Sequence, residues 1–186
     1  MSKIIDVSKE KLKITDKNLW MLNDSYMGLK ELYIISNNFN SELNLPECLK
    51  ELQIISNNFN RGLNLPEGLE RLYIESNSFN SELKLPESLE ILHISSKIFE
   101  RDLNLPGCVK DLSINSDNFN SELNLPDNLK NLYINCRIFS KELNNLPLNL
   151  KKLILYESYV KKYSMDLIES WMPIRCKLKI IRFGNI

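Results

Sequence analysis

The side chains first in line for nucleophilic or metal chemistry are one histidine, His93, and four cysteines, Cys48, Cys108, Cys136 and Cys176. Their spacing denies them partners. The chain repeats every 20 residues, and if successive repeats stack as neighbouring strands, His93 and Cys136 stand two turns and roughly 10 Å apart. That is too far for a hydrogen-bonded nucleophile and base. Cys48 and Cys108, three turns apart, are roughly 14 Å from one another, beyond the ~7 Å that a disulfide spans. Cys136 and Cys176 could meet near the C-terminal end, but free thiols in a reducing compartment are the favoured reading. Paired carboxylates such as Glu67 and Glu87 fall in polar turns, where nothing raises a pKa for acid catalysis. There is no His-Glu-x-x-His, no Cys-x-x-Cys and no glycine-rich phosphate loop, and the chain has only five glycines. No catalytic residue, metal ligand or cofactor is expected, and the chain is read as a non-enzyme.

The elements that would position any site come from the repeat itself. The phrase Leu29-Lys30-Glu31-Leu32-Tyr33-Ile34-Ile35-Ser36-Asn37-Asn38-Phe39 returns at Leu49, Leu69 and onward. The period holds through Leu129, one residue (Asn144 or Asn145) is added before Leu150, and a looser copy fits Lys9 to Leu19. About eight turns of a solenoid follow, in which each unit buries its apolar face only against its neighbours. Residues 1–160 form this solenoid, including an N-terminal cap and a degenerate first repeat. Residues 161–186 form a C-terminal cap of the same domain.

Within each unit Leu-x-x-Leu-x-Ile alternates with the period of a strand that buries one face, so identical strands should stack into a parallel sheet. Three residues after the Ile, an Asn recurs (Asn37, Asn57, Asn77). An inward-facing amide at that position would satisfy turn backbone. Phe39, Phe59, Phe79, Phe99, Phe119 and Phe139 then follow at fixed offset, as a buried aromatic spine contributing about 2 kcal/mol or more each. The return segment, Leu43 to Pro46 and its equivalents, carries Pro and is too short for a helix, so extended or polyproline-like geometry is expected.

The segment Leu-x-x-Leu-x-Ile-x-x-Asn-x-Phe resembles the conserved half of leucine-rich repeats, over about residues 9 to 160. The Phe-Asn pairs (Phe39-Asn40, Phe59-Asn60, Phe79-Asn80, Phe119-Asn120) with Leu-Pro-x-x-Leu downstream resemble the FNIP repeats of social amoebae and giant viruses. Their usual Ile-Pro is replaced by Ser-Glu or Arg-Gly, and their period is usually longer. The 20-residue period with Leu-Pro-Glu-x-Leu is similar to the LPX repeats of bacterial effectors, without their doubled Leu-Pro. The resemblance implies a parallel sheet on a concave face, extended convex segments, and protein recognition as the activity.

A solenoid needs capped ends. Ile4, Ile5, Val7 and Trp20 are expected to close one. At the other, Tyr163 to Trp171 has helical spacing, Pro173 stops it, and Lys177 to Phe183 reads as a final strand. Lys plus Arg equals Asp plus Glu at 24 each, with both signs interleaved, which argues against a nucleic-acid partner. No segment approaches the ~20 apolar residues of a membrane span and no signal peptide is evident. A cytoplasmic protein is expected, in a host cytosol if it is a viral or bacterial effector.

Side chains between the strand Leu and Ile should point to the concave face, so one column reads Lys13, Tyr33, Gln53, Tyr73, His93, Ser113, Tyr133, Ile154. The next reads Thr15, Ile35, Ile55, Glu75, Ser95, Asn115, Asn135, Tyr156. Tyrosine serves recognition because it buries a large area at low entropic cost. The candidate partner-binding residues are therefore Tyr33, Ile35, Gln53, Ile55, Tyr73, Glu75, His93, Asn115, Tyr133 and Asn135. The bland alternative is that Tyr and Ile are simply good strand formers. Lys97, Asp117 and Arg137 replace the recurrent Asn, and the turns carrying Lys97 and Arg137 are expected to open outward. Lys97, Arg101, Arg137 and Lys141 could meet an acidic partner along one edge, although solvated charge is the favoured reading. The leading function is a non-catalytic module binding a protein or peptide. The alternatives are a structural protein that self-assembles through its terminal strand, and a targeting arm whose catalytic domain, in an effector or ubiquitin-ligase system, lies on another chain. A monomer is expected unless the C-terminal edge pairs copies.

Overall fold

The computed structural model describes residues 10–18 and 28–182. The expected cap residues Ile4, Ile5, Val7, Trp20 and Phe183 lie outside them. Eight strands recur at the repeat spacing: β1 Lys11–Thr15, β2 Glu31–Ile35, β3 Glu51–Ile55, β4 Arg71–Glu75, β5 Ile91–Ser95, β6 Asp111–Asn115, β7 Asn131–Asn135 and β8 Lys152–Tyr156. Two short helices follow, α1 Glu157–Tyr163 and α2 Met165–Trp171, then β9 Lys177–Ile181. All nine strands form one parallel sheet in chain order. Equivalent residues pair throughout, Leu32 with Leu52 and Ile34 with Ile54, for example, so the chain is a parallel β-solenoid. A slip by one residue would turn every inward Leu and Ile to solvent, and this locks the register.

Each turn has two corners. At the second, Leu49 N–H donates to the Pro46 carbonyl at 3.0 Å, and the same bond recurs from Leu69 to Pro66 and from Leu129 to Pro126. Proline suits this place because only its carbonyl is used. Between the corners the return segments are extended as expected, linked in one place by a bridge between Leu63 and Leu83.

The core is a set of columns running the length of the sheet: Leu49, Leu52, Ile54, Phe59 and their equivalents are almost wholly buried. The rings from Phe39 to Phe139 stack with centroids 5.6–6.0 Å apart and planes within 10°. The stack continues onto Tyr159 (5.6 Å), then Tyr163 (4.8 Å) and Trp171 (5.5 Å). The added residue before Leu150 shifts the strand partner of Ile134 to Leu155, yet the ring on Phe139 is only 20 positions along. The early start of α1 at Glu157 makes up the difference, so Tyr159 rather than Val160 fills the aromatic site, and its hydroxyl donates to the Lys141 carbonyl at 2.9 Å.

Two expectations are corrected. The buried polar ladder is serine, not asparagine. Ser56, Ser76, Ser96 and Ser116 are buried, and their hydroxyls donate to the carbonyls of Phe39, Phe59, Phe79 and Phe99 one turn back, at 2.7–2.8 Å. Ser36 bonds instead to Asp16, and Cys136 takes the ladder place in the seventh turn, its thiol directed at the Ile114 carbonyl at 3.7 Å. Strand alternation carries past the Ile: Ile34 points in, Ile35 out, Ser36 in and Asn37 out. Asn37, Asn57 and Asn77 are exposed, where Asn77 Nδ2 donates to Asn57 Oδ1 at 3.2 Å. Lys97 and Arg137 therefore occupy a position that faces solvent in every turn, and their turns need not open. Arg137 sits 3.9 Å from Asp117.

The second correction concerns the cap: the helix expected over Tyr163 to Trp171 is present as α2, and a further helix, α1, precedes it. Glu157 in the first turn of α1, paired with Lys161 at 3.1 Å, and Lys161 and Lys162 in the last suit the helix dipole. Ser164, at φ 61°, breaks the axis, and its hydroxyl accepts from Leu167 N–H to start α2.

Candidate functional site

Along each strand the first, third and fifth residues face away from the core, and the register aligns them into three columns. The middle one runs Lys13, Tyr33, Gln53, Tyr73, His93, Ser113, Tyr133, Ile154. Beside it Thr15, Ile35, Ile55, Glu75, Ser95, Asn115 and Asn135 are in register. Most of these side chains are half-buried by their neighbours and Glu75 is exposed. Ile154, expected on this face, is only 8% exposed and offers a partner little.

The structure brings Tyr33, Ile35, Gln53, Ile55, Tyr73, Glu75 and His93 together across four adjacent strands. Ile35 lies directly beside Ile55, and Gln53 lies between the two tyrosines. The Tyr73 and His93 rings are 6.4 Å apart at 39°. Burial lowers the His93 pKa, which leaves the ring neutral at pH 7. Farther along, Asn115 Nδ2 donates to Ser95 Oγ at 3.1 Å, and Asn135 Nδ2 to Asn115 Oδ1 at 2.9 Å. Asn115, Tyr133 and Asn135 thus form a second, polar patch whose amides are already partly satisfied.

The third column was missed by the sequence reading: Lys11, Glu31, Glu51, Arg71, Ile91, Asp111, Asn131, Lys152. It holds the tyrosine patch in place. The Tyr33 hydroxyl lies 2.8 Å from both the Glu31 and the Glu51 carboxylates. Burial and then these two acceptors raise its pKa, keeping the proton on the ring oxygen. Lys11 Nζ sits 2.9 Å from Glu31 and 4.5 Å from the centre of the Tyr33 ring. Arg71 Nε donates to Glu51 at 2.6 Å, where the Glu51 side chain is only 17% exposed, and that bond is the main cause of the raised Arg71 pKa. Strand alternation was the available signal, but the changing residue types along this column concealed it.

The side chains capable of chemistry are kept apart. His93 is on the outward face, whereas Cys136 is 1% exposed on the core side, two strands away. Burial pushes the Cys136 thiol up to about 12, far from a reactive thiolate. Cys48 and Cys108 are exposed, Cys176 is half-buried, and none of the four is in a disulfide. Glu67 and Glu87 lie exposed in separate turns. Among the described residues no group of three His, Cys, Asp or Glu could hold a metal ion, and no helix is long and apolar enough to cross a membrane. On the corner edge, Arg101 Nε donates to the Asn80 carbonyl at 2.9 Å and Lys141 pairs with Glu122 at 3.3 Å. With Arg137 beside Asp117, two of the four basic residues read along this edge meet an acid. Comparison with known proteins finds no protein-family model that matches the chain and no match among curated proteins.

Proposed function

We propose that this chain is a leucine-rich-repeat interaction module that binds a protein or peptide on the outward face of its sheet, without catalysis. The observation that carries the reading is the patch of Tyr33, Gln53, Tyr73 and His93 beside Ile35 and Ile55, in unbroken register. These side chains are half-exposed and already braced by Glu31, Glu51 and Arg71, so little ordering remains to oppose binding. Large, rigid, amphipathic rings next to aliphatic area are the composition of recognition hot spots. The resemblance to FNIP and LPX repeats agrees with such a role, and four unpaired thiols accord with the cytoplasm or a host cytosol. A partner is expected to be protein, not nucleic acid or membrane, since the face carries both signs of charge, Lys11 and Arg71 among Glu31, Glu51, Glu75 and Asp111.

Self-assembly through the terminal strand is disfavoured by Lys177 and Lys179 on β9, because charged edge strands resist pairing between copies. The test is affinity capture with the native chain, the double variant Tyr73→Ala with Ile55→Ser, and a control pair on the return segment, Glu82→Ala with Lys84→Ala. A partner held by the native chain and the control but lost by the face variant, at an unchanged thermal midpoint, is the expected result. Retention by the face variant would move the site elsewhere.

A further inference from the structure

The C-terminal edge of the sheet differs from the rest in charge, in backbone and in cover. Several basic residues beside the earlier strands meet an acid one turn away: Lys30 with Glu10 at 2.6 Å, Lys50 with Glu70 at 3.1 Å, Arg71 with Glu51 at 2.6 Å, and Lys110 with Glu90. At β8 and β9 this pairing stops. Lys152 stands directly opposite Lys177, and Lys179 opposite Ile154. Neither strand contains an acid, and Lys151, Lys152, Lys177, Lys179 and Arg182 have no ion pair among the described residues. Like charges directly opposed in a sheet are unfavourable; where Glu31 opposes Glu51, Lys11, Arg71 and the Tyr33 hydroxyl offset the repulsion, whereas Lys152 and Lys177 have no such counter-charge among the described residues.

Among the described residues no strand pairs with the far side of β9, which ends the order of the sheet. Lys177 N–H donates back to the Lys151 carbonyl at 2.8 Å. Alternate residues of a strand direct their amides to opposite sides, so Leu178 and Ile180 aim N–H and C=O outward. Their side chains turn to the core side but are only half-buried, unlike Leu132 and Ile134 at 1% exposure. A shallow depression beside it is lined by the apolar Val160, Met165 and Ile180 together with Glu157, Lys161 and Arg182, and Glu157 is paired with Lys161.

We propose that the β9 edge accepts an extended segment of a partner protein in which acidic and aliphatic residues alternate, added as a tenth strand. The acidic side chains face Lys177 and Lys179 on the outward side. The aliphatic ones cover Leu178, Ile180 and the depression beside Met165, and the segment's backbone takes the free groups of Leu178 and Ile180. A second copy fits poorly: two-fold pairing centred on Lys179 sets Lys179 against itself. This surface is separate from the tyrosine face.

The test is fluorescence anisotropy with a labelled peptide, Glu-Ile-Glu-Leu-Glu-Ile-Glu, against the whole chain. Saturable binding is expected, weakened about tenfold or more by high salt and by Lys177→Glu with Lys179→Glu, and unchanged by Tyr73→Ala with Ile55→Ser. A peptide of the same composition with its glutamates grouped at the ends should bind far less. Ile180→Pro removes one outward donor while keeping every charge and should abolish binding. If that variant does not fold, N-methylation of alternate peptide amides asks the same question of the native chain. Equal binding of the grouped peptide would reduce the effect to charge alone and overturn the strand. Absence of saturation, or association of copies through this edge in light scattering, would overturn the proposal outright.

Discussion

Phe79 is the position at which the packing argument can be tested most directly. Its ring is 0% exposed and lies between Phe59 and Phe99, 5.9 Å from each, with planes tilted by 3° and 10°. Truncation of a buried Phe to Ala costs about 3–5 kcal/mol. Phe79→Ala belongs in the upper part of that range, because the flanking rings are fixed by strands whose register cannot shift to fill the space. Phe79→Leu retains most of the apolar area and loses two ring contacts of about 0.5–1.5 kcal/mol each. Its expected cost is about 1–3 kcal/mol. Urea unfolding should show lower midpoints with unchanged slope for both variants. Tryptophan fluorescence and far-UV circular dichroism should be followed together, since stacked repeats can unfold in parts. In a Trp20→Phe background the emission comes from Trp171 alone and reports the cap at the end of the ring stack, while the dichroism reports the sheet. A loss below about 1 kcal/mol for Phe79→Ala, with the two probes coincident, would refute the continuous buried spine.

Two further perturbations separate neighbouring explanations. Ser76→Ala leaves the buried Phe59 carbonyl without its 2.8 Å donor and should cost about 1–2 kcal/mol in urea unfolding, whereas Asn77→Ala, on the exposed side of the same turn, should cost about 0.5 kcal/mol or less; the reverse order would restore the asparagine ladder. Burial holds the folded-state pKa of His93 below its ordinary value of 6.5, so in the window between the two the unfolded chain binds more protons and stability falls as pH falls, levelling off below the folded-state pKa. His93→Gln should remove that part of the slope, and unfolding midpoints that decline identically with acid in both proteins would contradict it.

The period, the strands, the proline corners and the ring stack were legible because each is written many times over, and repetition alone fixes their register. Direction was less legible. Ser36 and Asn37 recur at the same interval, so their repetition marks both as constrained without saying which points inward. Only the alternation carried on from Ile34 decides it. The column from Lys11 to Lys152 was passed over because its residue types change from strand to strand while its geometry does not. α1 escaped notice because the repeat phrase runs into it: a single added residue let Val160 stand where the Phe was expected, and Tyr159 took the site. On the candidate face the contiguity of Tyr33, Ile55 and Tyr73 could be read in advance, but the double anchoring of the Tyr33 hydroxyl by Glu31 and Glu51 depends on side chains from two turns.

The ring spacing also sets the shape that the chain can present. Equivalent Phe centroids are 5.6–6.0 Å apart, while strands in a sheet are about 4.8 Å apart, so the turns fan open by about 1 Å on the aromatic side. Over a layer depth of about 10 Å this is about 6° per turn, with a radius near 45 Å measured at the strands. A helix, about 5 Å in radius with its side chains, would touch such a face along a line. A broad, gently bulging protein surface, or a peptide laid across several strands, would meet Tyr33, Gln53 and Tyr73 at once.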